Sequence, residues 1–184
     1  MTLGVGRAAL GIGRVLVAED EIKARVSELG QEITSDYRGR VPTFVGVLKG
    51  SFIFLSDLVR AVDLEPEVAL FGVSSYSGAE QGRVKVTYDL AGGVEGKDLI
   101  LVDGVVDTGL TISHLLRRLR SKSPSSLRTC VLLDKRSRRK AEVTLDYVGF
   151  EIRDLFVVGY GLDYNERFRN LPHIAAFAPE AHLR

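Results

Sequence analysis

The 184-residue chain has a single cysteine, Cys130. That excludes a disulfide framework and points to a reducing compartment, the cytoplasm. Cys130 lies inside the apolar run Thr129-Cys130-Val131-Leu132-Leu133 and reads as a small buried hydrophobe. Excess charge is lacking too: 25 Lys and Arg stand against 24 Asp and Glu, a net charge of +1. No bulk field favours nucleic acid, so any basic site must be local. No apolar run approaches the ~20 residues that a membrane helix needs. His114, His173 and His182 are far apart and lack zinc-ligand spacing. The first thirteen residues are Gly-rich and mildly apolar, are broken by Arg7, and lack a small-residue cleavage site. They read as a loose tail, not as a signal peptide. There is no internal repeat and no linker marked by a composition shift, so residues 14–184 read as one domain, long enough to bury a full core.

What is present is organised around Leu99 to Leu116. Leu99 to Val102 are apolar without alternation, as suits a strand buried on both faces of a parallel sheet. Asp103, Gly104, Asp107, Thr108, Gly109 and Thr111 follow. A helical spacing then begins at Ile112, Leu115, Leu116 and Leu119 and runs to Arg120. A strand, an acidic turn and a helix in this order offer unpartnered amides and a helix dipole to an anion, with two carboxylates beside it. It is not a Walker P-loop, because Gly-x-x-x-x-Gly-Lys is absent, and no Gly-x-Gly-x-x-Gly stands here.

The remaining elements alternate. Strands are expected at Arg14–Val17, Pro42–Leu48, Glu67–Tyr76, Val84–Leu90, Leu127–Leu133, Val143–Val148 and Leu155–Tyr160. A helix opens at the acids Glu19, Asp20 and Glu21 and carries the stripe Ile22, Val26, Leu29 and Ile33. Another spans Phe52–Val62, with Ser51 as its N-cap. From Gly161 the chain reads as irregular. This is an α/β domain with a mostly parallel central sheet flanked by helices. The turns after Leu48, Val102, Leu133 and Tyr160 then gather at the carboxyl edge, where such sheets bind ligands.

Asp103 and Asp107 are candidates for metal sharing or for acid–base work, favoured by the buried strand, the Thr-Gly-x-Thr turn and the helix around them, with capping of the next helix as the alternative. Leu48-Lys49-Gly50-Ser51 is a second anion turn, weak by itself. Taken alone, Phe156 reads as core more readily than as a platform, Lys135 as a solvated lysine, and Asp163 as a turn cap. Arg136, Arg138, Arg139 and Lys140 read as a solvated face, with an anion patch or a subunit contact as alternatives.

The stretch at 99–116 resembles the ribose-phosphate signature of type I phosphoribosyltransferases, which bind 5-phosphoribosyl-1-pyrophosphate (PRPP). Leu-Lys-Gly-Ser at 48–51, Ser75-Tyr76, Leu-Leu-Asp-Lys at 132–135 and Phe-Val-Val-Gly-Tyr-Gly-Leu-Asp-Tyr-Asn-Glu-Arg-Phe-Arg at 156–169 are similar to its 6-oxopurine (hypoxanthine-guanine) branch. The likeness runs from about Arg14 to Pro172. It implies a Rossmann-like fold with a small hood formed by the chain ends, and purine salvage by transfer from PRPP to hypoxanthine or guanine. Roles follow by resemblance. Asp107 handles the proton at purine N7. Thr108, Gly109, Leu110 and Thr111 cradle the 5′-phosphate through their amides. Asp103 meets the ribose. Lys49, Gly50 and Arg169 hold pyrophosphate, in a family whose Lys49 turn often contains a cis peptide. Lys135 donates to the purine O6, Phe156 stacks on the base, and Val157 reads its edge. Asp163 lies beside the base and, with Asp103, serves Mg²⁺. Ser75 and Tyr76 open a mobile lid. A homodimer or homotetramer is expected, and no membrane.

One departure stands out. The family usually carries two adjacent acids where this chain has Asp103-Gly104. A lost charge-assisted hydrogen bond costs about 1–3 kcal/mol, so Gly104→Asp is expected to tighten PRPP binding. A PRPP-sensing regulator that binds nucleic acid is the alternative from another functional class. A pyrimidine or adenine transferase conflicts with Lys135 and with Phe156-Val157.

Overall fold

The computed structural model describes residues 11–75, 84–88, 90 and 93–178. The elements are β1 (Ile12–Val17), α1 (Glu19–Asp36), β2 (Pro42–Leu48), α2 (Phe52–Ala61), β3 (Glu67–Ser75), β4 (Val84–Tyr88), β5 (Asp98–Val106), α3 (Leu110–Arg120), β6 (Ser126–Asp134), β7 (Tyr147–Glu151), β8 (Val157–Val158) and β9 (Ile174–Phe177). A single 3₁₀ turn at Arg136–Arg138 follows β6. None of the described helices is long and apolar enough to cross a membrane.

The larger sheet has the order β4-β3-β2-β5-β6-β7. Its five strands from β3 to β7 are parallel, and β4 joins antiparallel at the β3 edge. The chain moves from β2 outward to β3 on one side and from β5 outward to β7 on the other. The switch point therefore lies between β2 and β5, where α/β sheets open a crevice beyond their carboxyl ends.

Both faces are covered, which explains the uninterrupted apolar runs. Phe44, Ile100, Val102, Cys130 and Leu132 face one cluster with Ile22, Val26, Leu29 and Ile33 of α1 and Phe54, Leu55 and Leu58 of α2. Val45, Val47, Leu99, Leu101 and Val131 face the other, with Ile112, Leu115, Leu116 and Leu119 of α3. Each such side chain contributes about 1.5–3 kcal/mol by burial, so the strand ends at the crevice are held by a deep, two-sided core. The acids that open α1 are in place. The Ala18 amide donates to Glu21 Oε2 at 2.7 Å, the reciprocal half of a capping box, since alanine has no acceptor to complete it.

A second, three-stranded sheet has the order β1-β9-β8 and is antiparallel. It is the hood expected from the chain ends. The region beyond Gly161 is not wholly irregular, because Ile174–Phe177 forms β9 between β1 and β8. β1 opens at Ile12, so the last two residues read as a tail belong to this sheet. The strand expected at Leu155–Tyr160 shrinks to Val157–Val158. The one expected at Val143–Val148 is displaced to Tyr147–Glu151, because the Asp146 carboxylate accepts from the amide and hydroxyl of Thr129 and fixes where pairing starts. β5 runs past Asp103 to Val106, which moves the turn to Asp107.

Candidate functional site

The site is built at the carboxyl ends of β2, β5 and β6 and on the loops of the hood. At the end of β5, residues Asp103, Val105, Val106, Asp107, Thr108, Gly109, Thr111 and Ile112 line a cavity of about 90 Å³. Gly109 is the N-cap of α3 with φ +80°, a left-handed conformation that favours glycine. The first intrahelical bond is Ser113 N–H to the Gly109 carbonyl at 2.9 Å. The amides of Leu110, Thr111 and Ile112 thus precede any helical acceptor; that of Leu110 makes a long contact of 3.5 Å to the Thr108 hydroxyl, which an anion could replace. The Leu110 side chain is exposed and contributes nothing that the amides need. A Cβ at Gly109 would fall 2.9 Å from the Ala141 carbonyl and from Arg139 Cδ, so close packing as well as backbone sign selects glycine there.

Lys135 stands directly after β6 and is buried, and its amide donates to the Val106 carbonyl at 2.9 Å. Its Nζ is 3.8 Å from Asp107 Oδ2. The solvated-lysine reading therefore fails. Burial of the stem places the ammonium beside a half-exposed carboxylate, so a strong donor and a strong acceptor stand side by side at the cavity mouth. The neighbouring basic turn is solvent-exposed at Arg136, Arg138 and Lys140, as a solvated face should be, but two of its arginines are paired. Arg138 Nε donates to Asp107 Oδ1 at 3.0 Å, and Arg138 Nη1 to Asp154 Oδ2 at 3.1 Å. Arg139 pairs with Asp134. The amides of Lys140 and Ala141 donate to the Thr108 carbonyl at 2.9 and 3.1 Å. Residues 135–141 brace the anion turn from outside.

Asp103 is partly exposed, but its carboxyl group is enclosed. Oδ1 accepts from the Gly104 amide at 2.7 Å. Burial pushes its pKa up to about 7, against the lowering effect of the Gly104 and Val105 amides. Gly104 faces the second anion turn. A Cβ there would lie 2.8 Å from the Gly50 carbonyl oxygen and 3.1 Å from Leu162 Cδ2. Gly161, at φ +97°, meets the same Gly50 oxygen at 2.6 Å by the same measure. Three glycines converge here, and the expected benefit of an acid at 104 is opposed by the backbone of residue 50.

The Leu48–Lys49 peptide bond is cis. Ser51 occupies the N-cap position of α2 without capping it, because its buried hydroxyl donates back to the Val47 carbonyl at 2.6 Å. Lys49 Nζ lies 3.1 Å from Glu166 Oε1, and Arg169 Nη2 lies 3.0 Å from Glu166 Oε2. Arg169 Nη2 also meets Asp163 Oδ1 at 2.8 Å, and Asp163 Oδ2 accepts from the Glu166 amide at 2.9 Å. Glu166 was not singled out from sequence. Hydrogen bonds from Lys49 and then Arg169 hold its pKa below the ordinary value. It joins Arg169, three residues on, to Lys49 of a turn 117 residues away, and no local pattern announces the second pairing.

Phe156 is 51% exposed, which decides against a core role. It makes a T-shaped contact with Tyr164 at 5.8 Å and a tilted one with Phe177 at 5.9 Å, both on the hood. Val157 is buried in β8. Of the two residues expected to open a lid, Ser75 ends β3, while Tyr76 and the loop after it lie outside the described residues. Among the described residues no group of three or more His, Cys, Asp or Glu could hold a metal. Asp103, near the end of β5, and Asp163, in the loop between β8 and β9, are two hard oxygen donors from separate elements. They fit Mg²⁺ shared with substrate oxygens and not a cage made by protein alone.

The sequence pattern of the family described as a phosphoribosyl transferase domain matches residues 16–165. The chain is 46% identical over 170 residues to the hypoxanthine-guanine phosphoribosyltransferase of Bacillus subtilis, covering 91% of this chain and 94% of that protein. It is 48% identical over 164 residues to the protein of the same name from Aquifex aeolicus, covering 88% and 92%. The crystal structure of a Staphylococcus aureus hypoxanthine phosphoribosyltransferase, 39% identical, matches with a TM-score of 0.90 over 97% of this chain and 98% of that one. With that likeness covering the strands, the anion turn and the hood alike, the chain belongs to the phosphoribosyl transferase family, in its hypoxanthine-guanine branch.

Proposed function

We propose that the protein transfers the phosphoribosyl group of PRPP to hypoxanthine or guanine, giving the nucleoside monophosphate and pyrophosphate. The observation that carries this reading is the pair of Asp107 Oδ2 and buried Lys135 Nζ, 3.8 Å apart beside the cavity at the start of α3. A 6-oxopurine presents N7 and O6 on one edge. Protonated N7 meets the acceptor and O6 meets the donor. A 6-amino purine would turn an N–H toward the ammonium, donor against donor.

The other roles are those that the family resemblance implies, and the geometry is compatible with them. The amides of Thr108, Gly109, Leu110 and Thr111, with the two threonine hydroxyls, receive the 5′-phosphate in the cavity. Asp103 accepts from the ribose hydroxyls. Lys49, the Gly50 turn and the fork of Arg169 take the pyrophosphate. Phe156 offers its ring to the base, and Val157 its main chain. Asp103 and Asp163 are the residues that would hold Mg²⁺ together with the diphosphate, and the ion supplies charge neutralisation of the leaving group. In the reaction a purine ring nitrogen bonds to ribose C1 as the C1–pyrophosphate bond breaks, through an oxocarbenium-like state, and Asp107 takes the N7 proton. The single buried cysteine supports a reducing cytoplasm, and a homodimer or homotetramer is the assembly expected of the branch. The relatives named above are transferases, which leaves the regulator reading without support.

The test is a spectrophotometric assay with PRPP, Mg²⁺ and each base in turn. Product with hypoxanthine or guanine is expected. No product with any 6-oxopurine would overturn the reading and return weight to a PRPP sensor.

A further inference from the structure

Asp107 lies in a turn, half exposed, with a carboxylate that can rotate about its own side chain. A proton handler needs one oxygen fixed toward the base. The described residues show what could fix it. Oδ1 accepts from Arg138 Nε at 3.0 Å, which leaves Oδ2 toward Lys135. The guanidinium is itself anchored at its other end, where Nη1 donates to Asp154 Oδ2 at 3.1 Å. Arg138 sits in the 3₁₀ turn after β6, Asp107 in the turn after β5, and Asp154 two residues before Phe156. One planar fork thus spans the turn that carries the acceptor and the loop that carries the ring platform. A lysine, with one point of charge, could not reach both carboxylates in fixed geometry.

All three groups are about half exposed, and ion pairs of that kind contribute little to stability. The arrangement is better suited to orientation than to holding the fold. We propose that Arg138 is a positioning residue: it pins Oδ1 of Asp107 so that Oδ2 meets the purine N7, and through Asp154 it couples that alignment to the loop of the base-stacking Phe156. This rests on the reading of Asp107 as the proton-handling group. Arg138 touches no substrate and acts through Asp107.

The experiment is a double-mutant cycle on the full chain with Arg138→Gln, Asp107→Asn and both together, plus Asp154→Asn, read as kcat and as KM for PRPP with hypoxanthine. Arg138→Gln is expected to lower kcat by about 10- to 100-fold, the scale of a misplaced reacting group, with KM for PRPP and the melting temperature unchanged. In the Asp107→Asn background the same substitution is expected to change kcat less than twofold, since the proton-accepting oxygen that Arg138 positions is gone even though Oδ1 remains. Asp154→Asn is expected to give a smaller loss of the same kind. Arg138→Gln at the parental kcat, or a full additional loss on top of Asp107→Asn, would overturn the proposal while leaving the site reading intact. Parental kcat in Asp107→Asn would overturn the reading of Asp107 itself, and the proposal with it.

Discussion

Gly104 is the position where the family pattern and the packing pull in opposite directions. Adding an acid restores a charge-assisted hydrogen bond worth about 1–3 kcal/mol. Adding any side chain places a Cβ 2.8 Å from the Gly50 carbonyl, about half an ångström inside ordinary contact. The obstructing atom is backbone, and the Leu162 side chain at 3.1 Å closes the other direction. Residue 50 must therefore move, and it belongs to the turn proposed to grip pyrophosphate. Overpacking of this size costs about 1–3 kcal/mol, the same scale as the gain. Gly104→Ala imposes the displacement without the acid and is expected to weaken PRPP binding by about tenfold, which is about 1.4 kcal/mol. Gly104→Asp is expected to recover that loss and to leave affinity within about threefold of the parent, not to tighten it as the family pattern alone suggests. Titration calorimetry with PRPP and Mg²⁺ measures both. Gly104→Ala binding PRPP as tightly as the parent would refute the argument that the Gly50 turn is set by this contact.

Burial raises the Asp103 pKa to about 7, so below that pH the protonated form gains weight in the free protein. Ribose hydroxyls favour the carboxylate, so PRPP affinity should rise with pH up to about 7 and then level, by at most about tenfold per unit. Asp103→Asn, measured alongside, should retain only the ligand's own titration, and identical pH profiles would contradict the assignment. The same raised pKa makes the native state hold a proton that the unfolded chain has released. Its contribution to stability should therefore fall as pH rises from about 3.8 to about 7 and stay constant above, a trend that Asp103→Asn should lack in thermal unfolding. Phe156→Ala should raise KM for the base about tenfold with kcat little changed, since the residue is half exposed and its ring is the proposed stacking platform. An unchanged KM would return the ring to a packing role. Glu166→Gln should lower the inhibition constant of pyrophosphate by up to about fivefold, because the carboxylate now shared by Lys49 and Arg169 gives way to a neutral group. No change would mean that the bridge does not compete.

Legibility followed the range of the interactions. The β5–turn–α3 unit could be read in advance because a two-sided apolar run, Gly109 and the stripe from Ile112 to Leu119 are all local. Val157 and Phe156 could be placed only through resemblance, since an isolated phenylalanine carries no mark of exposure. β9 was missed because four residues, Ile174 to Phe177, form a strand only against residues 12–17 from the other end of the chain. The ion pairs of the exposed basic turn are hidden in the sequence for a similar reason. A run of Arg and Lys reads as unpaired until Asp107, Asp134 and Asp154 are brought to it by three different strand ends. The clash at Gly104 belongs to the same class, as it depends on residues 50 and 162.

The central claim is that Asp107 and Lys135 together read the N7–O6 edge of the base. The most direct test is the ratio of kcat/KM for hypoxanthine to that for adenine, measured in one competition with PRPP and Mg²⁺ for the parent and for Lys135→Met. A buried polar reader left facing the wrong partner discriminates strongly, so the parent should prefer hypoxanthine by at least about 10³-fold, and Lys135→Met should lose most of that preference. A parent that uses adenine as well as hypoxanthine, or a Lys135→Met variant that keeps the full preference, would contradict it.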